Sequence, residues 1–452
     1  MTRQQHPAEV LGRHALSRRG FIRTAAGAGV AMGLASAVSA CGGSGGGSGG
    51  SVTLQLWDTD TRPERTANLK KLISMFEAKN PGIRINYLGL PTDQYMQKIN
   101  TAIATRSTPD LLTPKASDLA ALVAQNALAP LDERLKKAGL EQHISEQMLK
   151  STRAAAPDGK LYLTPTTSLA DVIYYRADWF QEAGLKPPAT WADFDAAASR
   201  LTDASSGRFG YTLRGGNGFF SQFVQMVYPR AGVSTFFRED GSSTLNDPAV
   251  IAACEKYVAL FGKQTARSDL TADFKTMVAQ FGNGGAAMLS HSIGSYPNHV
   301  AALGAEKVGA VAPFPGPDNQ VLTGWMTTGF AMFQKSEHQE EAWKFLAYTM
   351  EPEGNSFWAQ KSGYLPGNKT VAKEKWVTEN AAMKAALDAA AKPGVVTLEQ
   401  PYYLPEFTSI TVTDLLPEWQ KVLQGSLTPR DFLTAAATAL TTAKRKYDKE
   451  HG

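Results

Sequence analysis

The sequence predicts an α/β protein built as two domains or lobes, and three observations carry that expectation. The chain has 452 residues, more than one ordinary core organises. Its composition, 43% hydrophobic and 19% charged, is that of a folded globular chain. From Val52 onward, alternating and helical apolar periods succeed one another, the pattern of an open, largely parallel sheet with helices between its strands.

Val52, Leu54 and Leu56 alternate as a first strand does. Leu69, Leu72, Ile73 and Phe76 then recur at helical spacing, and Asn80-Pro81-Gly82 stops the helix. Ile83, Ile85 and Tyr87 give a second strand, Met96, Ile99 and Ile103 a second helix, and Leu111-Leu112 a short third strand. A second block begins near Leu161, with an apolar run from Val172 to Tyr175 and a helix over 190–201. That helix opens on Thr190 and Asp193, a capping box with Asp in place of Glu or Gln. A further helix is expected over 336–350, with Gln339 as capping partner and Trp343, Phe345 and Leu346 as apolar positions. No internal repeat is present.

The net charge of +4 comes from 46 Lys and Arg against 42 Asp and Glu. Arg3, Arg13, Arg18, Arg19 and Arg23 face the single acid Glu9 within residues 1–40; without these six residues, 41 bases and 41 acids remain. The basicity therefore belongs to the leader and gives no ground for a nucleic-acid partner. Ser17 to Arg23 read SRRGFIR, a twin-arginine export signal, followed by an uncharged stretch of small and apolar residues to Ala40. Val38-Ser39-Ala40-Cys41 resembles a bacterial lipobox with Val where Leu is usual. Residues 42–51 are only Gly and Ser, a flexible tether. The expectation is a signal peptide over 1–40, a lipidated Cys41 with its tether over 41–51, and membrane attachment through that lipid alone. Cys254, in a helical pattern, reads as a buried apolar residue rather than a reactive thiol.

Enzyme motifs are absent or stand in the wrong context. There is no HExxH, Walker loop or SxxK. Gly282 to Ala287 satisfies GxGxxA, but it follows a helical pattern (Phe274, Val278, Phe281) rather than a strand. Asp58-Thr59-Asp60 begins like a calcium loop, with Arg62 where the third oxygen ligand belongs. The histidines are scattered, so no metal and no cofactor is expected.

Taken in order, several segments resemble the extracellular solute-binding proteins, family 1, of ABC importers. They are WDTDTRPERTANLKKLISMFEAKNPGIRINY, TPDLL, PDGKLYLTPTTSLADVIYYRADWFQEAGLKPPATWADF, FGNGGAAML, VGAVAPFPGP, EEAWKFLAY and GYLPGN. The resemblance runs from Val52 to the C-terminus. It implies a two-lobe periplasmic-binding-protein fold, type II-like, with lobe 1 over 52–164 and 315–365 and lobe 2 over 165–314 and 366–452. The hinge crossings it implies lie near 164–168, 308–314 and 365–367. It also implies a non-catalytic, monomeric binder that captures a sugar or oligosaccharide by closing and delivers it to the transmembrane subunits of a permease.

A pyranose needs flat aromatic surface and planar polar groups, supplied from loops at the ends of strands. After the first strand, Asp58, Asp60 and Arg62 either touch ligand or cap a solvated loop; Trp57 reads as a core anchor. After the third strand, Lys115, Ser117 and Asp118 match a family ligand loop, with Ser117 also a candidate helix N-cap. Thr167 stands in the first crossing. Asn217, Phe219 and Phe220 form a Gly-rich loop whose rings either stack on ligand or pack inside. His291, Ser292 and Tyr296 fall where the family often places an aromatic contact. Trp325, after Gly324, resembles a sugar-stacking element and is the foremost candidate. Tyr402 and Tyr403 lie in a Pro-bounded segment with the same family tendency, while Trp343 and Trp358 sit on helical patterns and read as core.

Other readings stay open. One is a different solute: a glycerophosphodiester, a polyamine or a metal, the last suggested by the adjacent Tyr174 and Tyr175, which look structural in a strand. Another is an exported glycan-active enzyme, which needs two carboxylates about 5 to 10 Å apart. A third is a tethered adhesion or signalling module.

Overall fold

The computed structural model describes residues 51–91, 94–317 and 320–451. The export signal, Cys41 and its lipidation fall outside the described residues. Among those described, the strands in chain order are β1 (Val52–Asp58), β2 (Ile83–Gly89), β3 (Leu111–Thr113), β4 (Thr167–Leu169), β5 (Asp171–Arg176), β6 (Met288–Ser292), β7 (Val308–Val311), β8 (Gln320–Thr323), β9 (Met326–Thr328), β10 (Ala331–Met332), β11 (Leu365–Pro366) and β12 (Val395–Leu398).

Two sheets organise the two lobes. The first has the order β10-β3-β1-β2, with β1 parallel to both β2 and β3 and a short antiparallel β10 on its edge. Leu54 and Leu56 of β1 are buried and Gln55 is exposed, as the alternation requires. They pack with Leu69, Leu72 and Phe76 of helix Pro63–Lys79 and with Phe345. Pro63 sits in the first turn of that helix, where its missing N–H costs nothing, and the helix ends at Asn80. The second sheet, β6-β5-β7, is antiparallel throughout rather than parallel, because β5 is flanked by two later strands that run back along it. Its cores gather Phe219, Phe223 and Trp419 on one side and Tyr174, Phe281 and Leu289 on the other. Cys254 is fully buried there, and burial pushes its thiol well above the ordinary range, as suits an inert apolar residue.

Between these sheets lies a small antiparallel one, β11-β4-β9, in which Thr167 pairs with both Pro366 and Thr328. Val321 and Trp325, placed by sequence in the first lobe, pack into the cores around the second sheet, whereas Phe330 and Met332 pack around the first. The described residues form one compact body, and no helix among them is long and apolar enough to cross a membrane.

Local chemistry sets the helix starts. The capping box at Thr190 is formed: its hydroxyl accepts from Asp193 N at 3.1 Å and the Asp193 carboxylate accepts from Thr190 N at 3.0 Å. The helix expected from 336 begins instead at Gln339 without a side-chain cap. Ser336 is drawn away to donate to Asp110 at 2.5 Å, and Gln339 donates to the Gln334 carbonyl.

His299 is fully buried between Tyr174 and Phe281, ring centroids 4.7 and 4.8 Å away, and neither ring nitrogen has a hydrogen-bond partner among the described residues. Burial lowers its pKa from 6.5 to about 4. The unfolded chain therefore binds this proton first as pH falls. The stability from a neutral His299 is complete above about 6.5 and is lost progressively toward 4, about 3 kcal/mol in all. Urea unfolding at pH 7 and pH 4 is expected to show His299→Phe losing less stability on acidification than the unaltered chain; equal losses in the two would assign the acid sensitivity elsewhere.

Candidate functional site

The ends of β1 and β3 bring their following loops side by side. Asp58, the last residue of β1, is fully buried and acts as a hub. It accepts from the Thr113 hydroxyl of β3, from Arg65 Nη2 at 3.1 Å, from the Tyr87 hydroxyl of β2 at 3.3 Å and from Asp60 N at 3.3 Å. Arg65 is thereby held 4.9 Å over the ring of Trp358. Asp60 takes a two-pronged bond from Arg62, at 2.9 and 2.7 Å, and lies 3.4 Å from Arg65 Nε. Burial opposes the charge on Asp60, but the Arg62 bonds and the two guanidinium charges outweigh it and hold the carboxyl below its ordinary range.

These groups form one wall of a cavity of about 400 Å³. Thr59, Asp60 and Arg65 line it from the β1 side, Thr113 to Ser117 from the β3 loop, and Trp358 and Tyr364 from the helix Pro352–Ser362 and its exit. The opposite wall comes from the second lobe: Phe220 and Ser221 of helix Phe219–Ala231, Tyr402 and Phe407, and Thr408, Thr411 and Val412. The last two belong to a π-helical stretch, Ser409–Asp414, whose wider turn is a form often found at functional sites. Residues 326–329, covering β9, close the floor. The lining combines aromatic faces with many hydroxyls, and its acid is paired with its neighbouring bases. Such a surface suits a ligand with apolar faces and a polar rim.

A family profile described as bacterial extracellular solute-binding protein matches residues 71–385, well over half of the chain. The chain belongs to that family. This solute-binding protein is similar to a putative ABC transporter periplasmic-binding protein of Escherichia coli K12, 25% identical over 344 residues that cover 74% of this chain and 77% of the relative. Among solved structures it resembles the GacH receptor of Streptomyces glaucescens, solved unliganded and with acarbose: TM-score 0.73, 21% identity, 87% of this chain and 99% of that one. It also resembles UgpB from Mycobacterium tuberculosis in complex with glycerophosphocholine: TM-score 0.73, 22% identity, 88% and 99% covered. At these identities the two structures establish the shared two-lobe α/β fold. The family is extracellular and binds solutes for ABC transporters.

Of the residues singled out from sequence, the solute-binding protein brings Asp60, Lys115, Ser117, Phe220 and Tyr402 onto the cavity wall. Ser117 caps no helix; its hydroxyl reaches Asp118 at 3.3 Å. Asp58 and Asp118 stand behind the wall. Asp118 accepts from the Tyr95 hydroxyl at 2.9 Å, and burial raises its pKa. Arg62 lines a second, adjoining cavity. Thr167 is buried in β4, its hydroxyl 2.7 Å from that of Thr328.

The remaining candidates lie elsewhere, each for a packing reason. Trp325 is 8% exposed and packs in the core around β5; its neighbour Met326 reaches the cavity, since successive residues of an extended chain face opposite sides. Phe219 is buried in parallel contact with Trp419 at 5.5 Å, leaving Phe220 for the wall. His291 is buried against Phe274 at 4.7 Å, and burial, with the Arg214 charge, lowers its pKa far below the ordinary value. Ser292 accepts from Gly294 N at 3.1 Å and caps a turn. Tyr296 stacks on Tyr174, whose own hydroxyl donates to the Ser292 carbonyl. Tyr403 meets Tyr447 edge-on at 5.0 Å outside the cavity, and Asn217 is exposed in the turn before its helix.

Sequence reasoning missed Arg65, Tyr364, Thr327, Thr328, Gln400 and the segment 407–412, and took Trp358 as core alone. Trp358 is 3% exposed and lies under Arg65, yet it borders the cavity. A signal existed in the hydroxyl-rich runs MTT at 326–328 and TSITVT at 408–413.

Asp58→Ala is expected to cost about 3 kcal/mol or more in urea unfolding, because Arg65 loses its buried counter-charge. Adding Arg65→Met to that variant is expected to recover part of the loss. A single variant as stable as the unaltered chain would remove Asp58 as the hub.

Proposed function

We propose that this solute-binding protein captures an uncharged sugar or oligosaccharide in the cavity and delivers it to the transmembrane subunits of an ABC importer. The carrying observation is the lining itself: Tyr402, Phe220 and Trp358 contribute aromatic rings, Thr and Ser residues line it beside them, and Asp60 is neutralised by Arg62 and Arg65. A buried unpaired carboxylate would call for a cationic ligand; a paired one accepts hydroxyls without demanding charge. Paired-carboxylate hydrolysis of a glycan needs two acids facing one bond, whereas Asp60 is committed to its guanidinium partners.

The proposal includes the hinge and the anchor. The crossings are β4, β9 and β11, the strands of the small central sheet, with the lobes exchanging around residues 164–169, 326–330 and 365–367; the second replaces the crossing expected near 308–314, because Val308–Val311 is β7 inside the second sheet. Ligand touching both walls shifts the population toward the closed form because it binds that form more tightly. The leader directs export by the twin-arginine route, Cys41 carries the lipid, and the protein works as a monomer on the outer face of the membrane. A second reading, a glycerophosphodiester ligand, draws support from Lys115: it is exposed on the cavity wall, 4.4 Å from the Tyr95 ring, with no carboxylate within ion-pair distance among the described residues.

Calorimetry against a panel of sugars, sn-glycerol 3-phosphate and glycerophosphocholine separates the two. A sugar is expected to bind, and Tyr402→Ala to weaken it by about 1 kcal/mol or more through lost ring contact. Binding confined to the phosphodiester would replace the carbohydrate reading. Cys41→Ala is expected to move the protein from the membrane fraction to the medium; persistent membrane attachment would overturn the lipid anchor.

A further inference from the structure

Gln400 and Tyr402, two residues of the cavity wall, lie in the segment that follows β12. Residues 399–403 are turn and irregular chain, so no ladder or helix holds these side chains in place. Their neighbours Glu399 and Tyr403 do so instead, by reaching away from the cavity. Glu399 Oε1 accepts from the Ser151 hydroxyl at 2.8 Å and from Gln147 Nε2 at 3.3 Å, both on helix Glu146–Ala154. Ser151 and Gln147 stand behind the wall of the ligand cavity rather than on it. Tyr403 packs on Tyr447 of helix Pro429–His451, and the Tyr447 hydroxyl donates to the Pro157 carbonyl at 2.8 Å, just past the end of helix Glu146–Ala154. The segment is thus pinned at both ends to one helix and its exit.

The Glu399 carboxylate is also fitted from its other side. Gly324 N donates to the Leu398 carbonyl at 2.7 Å, and a Cβ on Gly324 would overlap Glu399 Oε2. A side chain at 324 therefore displaces the carboxylate, the free end of a flexible chain. The small cavity that Glu399 lines with Ser151 and Gly324 has about 20 Å³, room for a water and not for a solute. The contact is therefore structural chemistry beside the ligand cavity, one residue removed from it.

We infer that Glu399 is a positioning residue for ligand binding: its bonds to Ser151 and Gln147 set where Gln400 and Tyr402 stand on the cavity wall. This rests on the cavity as the ligand site and holds for any solute bound there. A hydrogen bond to a charged acceptor contributes more than one between neutral groups. Losing it frees the segment, and a ring or amide that must be ordered on binding gives up part of the free energy of its contact.

Four variants test the role, each checked for folding by thermal melting. Glu399→Ala removes the acceptor, Ser151→Ala removes the nearer donor, Gly324→Ala displaces the carboxylate, and Glu399→Gln keeps Oε1 as an acceptor. Calorimetry with glucose, galactose, mannose, maltose, sn-glycerol 3-phosphate and glycerophosphocholine reads binding, and amide hydrogen exchange across 399–403 reads anchoring. For a probe that binds the unaltered protein, the first three variants are expected to weaken affinity about fivefold or more and to speed exchange. Glu399→Gln is expected to keep most of both. The losses in Glu399→Ala and Ser151→Ala are expected not to add in the double variant, since each removes the same bond. Unchanged affinity in Glu399→Ala and Ser151→Ala overturns the positioning role and leaves the cavity as the ligand site. A loss that Glu399→Gln shares in full also overturns it, by assigning the effect to charge rather than placement. No binding by any of the six probes overturns the ligand reading of the cavity and the positioning role with it.

Discussion

The cavity depends on one buried carboxylate. Asp58 sits at the end of β1 with no exposure, and the groups that satisfy it come from β2, β3, the loop after β1 and the first helix. A buried charge is tolerated only when paired and hydrogen-bonded, so these four elements cannot separate without stranding it. The same requirement places Arg65 over Trp358 and next to Asp60, and so determines where the first wall stands. An exposed ion pair contributes little to stability. The Arg65–Asp58 pair differs because the acid is sealed and its remaining lone pairs are occupied by hydroxyls and an amide.

The central sheet imposes a second constraint. Strand β4 is bound to the first lobe by a chain of polar contacts: the Thr166 carbonyl accepts from Asn355 Nδ2 at 2.7 Å, and Asn355 Oδ1 accepts from Asn368 N at 3.1 Å. Gly329 packs so closely on the Thr164 carbonyl that a Cβ there would overlap it. On the hinge proposal, these contacts anchor the crossing strands on the first-lobe side. The dihedral change of closure then falls on the residues beyond them, toward Leu169 and Trp325, where the chain enters the second core. That division of labour also explains why Trp325 is buried: it anchors the second core where the strand leaves the hinge.

Much of the frame was legible because it follows from periodicity. The strands β1 and β2, the helix stopped at Asn80 and the capping box at Thr190 are local patterns, and local patterns survive packing. The antiparallel second sheet was not legible, since β6 and β7 lie more than a hundred residues beyond β5 and nothing in a single strand records its partner. The site divided along the same line. Asp60, Lys115 and Ser117 follow strand ends, where that rule looks, and they stand on the cavity wall. Trp325, His291 and Phe219 were chosen as aromatic or polar residues at suggestive positions, but aromatic rings pack cores as readily as they stack on ligands, and burial is decided by tertiary neighbours. Trp358 sat on a helical pattern and was taken as core for the same reason.

The charge pattern bears on how such a site selects. Outside residues 1–40 the chain carries equal numbers of acids and bases, and the cavity's own acid is held in ion pairs. Long-range attraction therefore adds little to capture of an uncharged ligand, and discrimination falls on contact. On the carbohydrate reading, the hydroxyls of Ser117 and Thr411 and the ring of Tyr402 set the geometry that a ligand must match. A sugar that lacks one matching hydroxyl leaves a buried partner unpaired, which costs more than the loss of an apolar contact of similar size.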